Sequence, residues 1–225
     1  MRKTLGLALP LSLSLMLVAG WVHAAPQAKK EAAPAAPLTT ANMTPHERLK
    51  AMQADVAAAV AAGKKASFFC ANCHGEDGNS KYPEVPNLAG QNPAYLLEQI
   101  RKFGAGQRKD EFMQKLIKVL SEDERVQISL YYSESKVVPG TAEAGLVKRG
   151  KEVFSKLCVR CHGEEARGNE TIARLAGQKR EYLMVSLKRY RDRTGERIDP
   201  LMQIATGPLT DDDIKAVTAY LTTKQ

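Results

Sequence analysis

Cys70-Ala-Asn-Cys73-His74-Gly75 returns further along the chain as Cys158-Val-Arg-Cys161-His162-Gly163. This pair of hexapeptides decides how the rest is read. Leu88-Ala-Gly-Gln91 recurs as Leu175-Ala-Gly-Gln178, and Tyr95-Leu96 as Tyr182-Leu183. Met113 pairs with Met202, and Tyr131 with Tyr220. The offsets stay between 87 and 89 residues, as expected of a duplicated unit with small loop changes. Two domains follow, spanning residues 63–137 and 138–225. They join within Ser133 to Gly145, where Pro139-Gly140 signals a turn.

Both halves read as helical. Gly150-Lys-Glu-Val-Phe154-Ser-Lys-Leu157 places apolar residues at helical spacing before the second motif. Tyr95 to Phe103 and Tyr182 to Tyr190 form a second amphipathic segment in each half. Ser121-Glu-Asp-Glu124 and Thr210-Asp-Asp-Asp213 resemble capping boxes that open a last helix. No stretch shows clear strand alternation, so the fold class is all-α.

Cys-x-x-Cys-His is the attachment signature of c-type haem. Two thiols three residues apart reach the two vinyl groups of one porphyrin, and the adjacent His faces the iron. Cys70, Cys73, Cys158 and Cys161 would then form thioethers to two haem c groups, with His74 and His162 as proximal ligands. The rivals are one zinc shared by the four Cys and a pair of redox disulfides. The zinc reading needs the two repeats to share one site and leaves the His and Gly that follow each motif unexplained. Haem attachment consumes all four Cys, so no disulfide is expected.

The sixth ligand follows by elimination. After residue 24 the only His are His46, His74 and His162, so two bis-His haems cannot form within one chain. Met113 lies 39 residues after His74 and Met202 lies 40 after His162. Met/His is a known haem ligand pair, and its thioether raises the potential. Met184 matches the apolar Leu97 and reads as core. His46 reads as a surface residue. Six-coordinate iron leaves one-electron transfer as its reaction, so the reading is an electron carrier and not an enzyme.

Ahead of the repeat, Arg2-Lys3, an uncharged run from Thr4 to Val22 and Val22-His23-Ala24 read as an export signal cut after Ala24. The alternative is an uncleaved anchor, for which the run is marginal against the roughly 20 apolar residues a bilayer needs. Residues 25–43 are rich in Ala and Pro and read as a flexible tether. Thr44-Pro45-His46-Glu47 opens an extra helix expected to run to about Ala62. Gly63 either ends that helix or lies inside a longer one.

The 225-residue chain has a net charge of +8, which falls to +6 once the signal is removed. Export argues against nucleic acid as a partner. Residues 139–225 hold 16 basic and 12 acidic side chains. Lys188, Arg189 and Arg191 are therefore a candidate docking patch for an acidic redox partner or, transiently, an anionic membrane surface. The bland alternative is a solvated helix face.

The motifs together resemble the class I cytochrome c fold in tandem. The export signal, the two haem motifs, the Leu-Ala-Gly-Gln after each and the Met before each last helix are similar to the dihaem cytochrome c4 family. That resemblance covers about Gly63 to Leu221. It implies periplasmic electron carriage, often toward a respiratory terminal oxidase or reductase. A cytochrome subunit of a larger dehydrogenase, such as a flavocytochrome sulfide dehydrogenase, shares the tandem pattern. A dihaem peroxidase is a weaker match, since it needs an open iron. The resemblance also implies a proline whose carbonyl accepts from the proximal His. Pro86 fits in the first half. The aligned residue in the second half is Ala173, which leaves the His162 hydrogen bond open.

Overall fold

In a computed structural model the described residues are 40 and 42–225. The expected export signal and nearly all of the tether lie outside them. Eleven helices are described, with no strand among these residues beyond an isolated antiparallel bridge between Arg108 and Arg197. None of the helices is long and apolar enough to cross a membrane.

The leading segment differs from the expected single helix over 44–62. Helix α1 covers Pro45–Gln53 and α2 covers Val56–Ala66. The break is local chemistry. Thr44 and Glu47 close a capping box on α1, and the Asp55 side chain accepts Ala58 N–H and starts α2 afresh. Short acidic side chains compete with helix continuation in this way. Gly63 lies inside α2, and α2 belongs to the repeat, not to the extension.

The first unit then runs α2, α3 (Phe68–His74), α4 (Pro93–Gly104), α5 (Glu111–Lys118) and α6 (Glu122–Ser133). The second repeats that order as α7 (Ala144–Leu157), α8 (Val159–His162), α9 (Arg180–Arg191), α10 (Pro200–Thr206) and α11 (Asp211–Thr223). The Ser121–Glu124 and Thr210–Asp213 capping boxes are both present. In each unit the first helix crosses the last at a glycine. A Cβ on Gly63 would lie 2.1 Å from the Gln127 carbonyl oxygen, and one on Gly150 would lie 2.0 Å from that of Ala216. The two backbones touch, and only glycine permits it.

Helix α1 covers an apolar face found only on the first unit. Leu49 and Met52 are buried against Ala59, Leu97, Val126 and Leu130. The repeat partners of Leu97 and Val126 are Met184 and Lys215. A lysine there solvates the second unit's face, which needs no cover. At one end, Asp123 in the first turn of α6 accepts from Arg48 Nη1 at 2.5 Å and from the Thr40 hydroxyl at 3.0 Å. Arg48 is buried, so its charge relies on this partner. Asp123→Ala is expected to cost about 2 kcal/mol, the scale of a hydrogen bond to a buried charge. Denaturant unfolding of the haem-loaded protein measures it. A change below about 0.5 kcal/mol, the range of ordinary surface substitutions, would show that α1 is not clamped by this pair.

The repeated Leu-Ala-Gly-Gln acquires a structural meaning at the joint. Gly90 and Gly177 have φ of +62° and +72°, a conformation that favours glycine. A Cβ on either would meet the side chain of Val137, at 2.5 and 2.3 Å. Val137 is buried in the connector, wedged between the two copies of the motif. Gln91 and Gln178 each reach into the opposite unit, and both are buried.

Candidate functional site

Cys70, Cys73 and His74 lie on α3, Cys161 and His162 lie on α8 with Cys158 as its N-cap, and a glycine stops each helix. Gly75 and Gly163 follow α3 and α8 with φ of +82° and +75°. Residues three apart on a helix share a face. Cys70 and Cys73 therefore project together, as do Cys158 and Cys161. No two of the four are joined to each other. Burial pushes the Cys70 thiol up and the Cys158 thiol up to about 11. A reactive redox cysteine has the opposite shift. Among the described residues no group of three or more His, Cys, Asp or Glu side chains could hold a metal ion, so the four Cys do not converge on one zinc.

His74 and His162 are both buried. His74 Nδ1 lies 2.9 Å from the Pro86 carbonyl oxygen, and His162 Nδ1 lies 2.9 Å from that of Ala173. A carbonyl only accepts, so Nδ1 must hold the proton and Nε2 keeps its lone pair. Burial lowers both imidazole pKa values, which keeps the rings neutral. The bond left open for the second half therefore forms without a proline. Pro86→Ala is accordingly expected to leave the first haem's potential nearly unchanged, because the accepting carbonyl remains. A voltammetric shift as large as that from losing an axial ligand would contradict this.

Met113 and Met202 occupy matching places. Each is the third residue of its helix, and its N–H donates to the N-cap aspartate. Met113 N to Asp110 is 2.9 Å, and Met202 N to Asp199 is 3.0 Å. Both side chains are half-buried. His46 is exposed on α1, as expected of a bystander.

The candidate docking row is different from a free cationic stripe. Lys188 and Arg191 both bind Asp211, at 2.9 and 2.7 Å. Arg191 also binds Asp192, and Arg189 binds Glu196 at 2.6 Å. Hydrogen bonds from Lys188 and Arg191 hold Asp211 down at about 2. With a lowered folded pKa, that pairing contributes above the ordinary carboxylate range and is lost only as pH falls toward 2. Three carboxylates thus offset the three cations at neutral pH.

One cluster escaped the sequence reading. Arg108 and Arg197 both donate to the Tyr182 hydroxyl, at 3.0 and 2.8 Å. Arg197 also donates to Tyr95 Oη at 2.7 Å, across the two units. Among the described residues the two guanidiniums donate to Gln99, Ser186, Tyr95 and Tyr182, none of them a carboxylate, and Arg197 Nε is buried with no hydrogen bond. Burial opposes ionisation of Tyr182, yet the neighbouring Arg108 and Arg197 charges outweigh it and lower the phenol's pKa. The place is short of negative charge. The repeat held the signal, because Tyr95 matches Tyr182 and Arg108 matches Arg197. Haem bears two propionate carboxylates, and a pair of cations without anions fits such a group. The thiol pairs, the neutral imidazoles and the guanidiniums together suit two c-type haems.

The family model described as cytochrome c matches residues 60–129 and 147–225. The chain belongs to the cytochrome c family and has two of its domains. Within the family it resembles cytochrome c4. The cytochrome c4 of Pseudomonas aeruginosa is 32% identical over 180 residues, covering 75% of this chain and 90% of the relative. The crystal structure of reduced cytochrome c4 from Pseudomonas stutzeri superposes with a TM-score of 0.69 at 30% identity, covering 74% of this chain and 98% of that one. A thiosulfate dehydrogenase electron acceptor of Thiomonas intermedia is 32% identical, covering 72% of this chain and 81% of the relative. The protein is a dihaem class I cytochrome whose cofactors are two covalent haem c groups.

Proposed function

We propose that the protein shuttles single electrons between redox proteins in the periplasm, toward a respiratory oxidase or reductase. Cys70 and Cys73 would attach the first haem, and Cys158 and Cys161 the second. His74 with Met113, and His162 with Met202, would supply the axial ligands. Bound haem supplies a one-electron ferric–ferrous couple. The protein's part is to fix the ligands and exclude other chemistry. Pro86 and Ala173 set the imidazole tautomers. Asp110 and Asp199 fix the start of the helices bearing the methionines. Arg108 and Arg197 offer charge to the propionates.

The matched imidazole–carbonyl pair in both units is the observation that carries this reading. It supports equivalent ligand sets in the two domains, where a peroxidase needs them to differ. Carbon monoxide tests it. The reduced protein is expected to keep its spectrum under carbon monoxide and to turn over peroxide negligibly. A rapidly formed carbon monoxide adduct, or sustained peroxide turnover, would establish an open iron and an enzyme.

The likeness to a thiosulfate dehydrogenase electron acceptor favours a sulfur-compound dehydrogenase as the donor. A subunit of such an enzyme would leave the native source in a stable complex. A carrier would purify alone.

A further inference from the structure

The interdomain glutamines touch the same peptide units that hold the proximal histidines. The Pro86–Asn87 peptide accepts from His74 Nδ1 at its carbonyl, 2.9 Å. Its N–H, on Asn87, donates to Gln178 Oε1 of the other domain at 2.7 Å. The Ala173–Arg174 peptide does the same in mirror order. It accepts from His162 Nδ1 at 2.9 Å and donates from Arg174 N to Gln91 Oε1 at 2.7 Å. Each glutamine also returns a bond through Nε2, Gln178 to Asn87 O and Gln91 to Arg174 O, both at 2.9 Å. That second bond fixes the amide orientation, so Oε1 must face the N–H.

We propose that Gln178 tunes the first haem and Gln91 the second, each as a positioning residue acting across the domain interface through one peptide group. Hydrogen bonds in series polarise one another, by about 10–30% per bond. Donation from Asn87 N–H leaves more negative charge on the Pro86 oxygen. That oxygen pulls harder on the His74 Nδ1 proton and makes Nε2 a stronger donor, as outer partners of ligating histidines do. A stronger nitrogen donor favours ferric iron, so the relay lowers the potential. Burial of Gln91, Gln178 and Asn87 keeps water from substituting. The Gln that closes each Leu-Ala-Gly-Gln thus serves the opposite haem.

This rests on His74 and His162 as the proximal ligands. The experiment is voltammetry of the dihaem protein with each haem's wave assigned. Gln178→Leu, with Gln178→Met as a length-matched second variant, is expected to move the first haem's potential positive and leave the second nearly fixed. Gln91→Leu and Gln91→Met are expected to do the reverse. A shift confined to the haem of the mutated domain, equal shifts of both, or no shift would overturn the proposal. Haem content and the far-red methionine band of each variant report the ligand set separately, so failure of ligation is distinguished from failure of the relay. Hydrogen exchange in the unmutated reduced protein gives a check free of substitutions. Asn87 N–H and His74 Nδ1–H are expected to be protected together, as are Arg174 N–H and His162 Nδ1–H. Rapid exchange of either amide beside a protected imidazole would break the relay.

Discussion

Met202→Ala is expected to abolish the second haem's share of the weak far-red band of ferric, methionine-ligated haem, and to drop that haem's potential sharply. Thioether sulfur is a soft donor that favours ferrous iron, so its loss stabilises the ferric state. Met202 is half-buried near the start of α10, and its backbone is fixed by Asp199. The substitution therefore removes the proposed ligand without removing the cap. Met113→Ala should do the same to the first haem and leave the second band in place. Each variant should also gain carbon monoxide binding at one iron. Retention of the full band in both variants would refute the ligand assignment.

Gly150→Ala is expected to be the most destabilising single methyl group in the second domain. The added Cβ would lie 2.0 Å from the Ala216 carbonyl oxygen and 2.8 Å from the Tyr220 Cβ. Those are backbone and stem atoms, which cannot swing aside. Helices α7 and α11 must separate, which loosens Phe154, Val217 and Leu221 in the core between them. Overpacking of this kind costs about 1–3 kcal/mol, and a backbone contact belongs at the upper end. Gly63→Ala should act likewise on the first domain through Gln127. Thermal unfolding followed at each haem measures both. An unchanged midpoint would mean the crossing has slack that these distances do not show.

The elements that were legible in the sequence are those whose chemistry is local. The Cys-x-x-Cys-His motifs, the three capping boxes at Thr44, Ser121 and Thr210, and the two middle helices each announce themselves within a few residues. The split at Asp55 is also local, but a helix-forming run of Ala, Leu, Met and Lys hid it. Contacts between distant residues were not legible. Nothing near Lys188 in sequence says that Asp211 will neutralise it. Gln91 and Gln178 stood out as a repeat, but their bonds span 83 and 91 residues. Ala173 shows the converse. Lacking a proline, the sequence left His162 uncertain, yet the accepting atom is a backbone carbonyl that any residue supplies.

The tandem repeat also frames how the two haems differ. The first domain has an apolar face covered by α1, whereas the second has a solvated one around Lys215. Arg108 and Arg197 come from opposite domains and meet at one tyrosine, so each domain contributes charge to a shared interface. Arg197→Leu is expected to lower both haem potentials, since a cation that favours the ferrous state of each would be lost. Voltammetry reads this, and an effect on neither wave would separate the cluster from the haems.

Intact mass of the purified chain, combined with its ferric far-red spectrum, tests the central claim most directly. The prediction is two covalent haems per chain and a far-red band of the strength expected for two methionine-ligated irons. One haem, or two haems with no such band, would contradict the account.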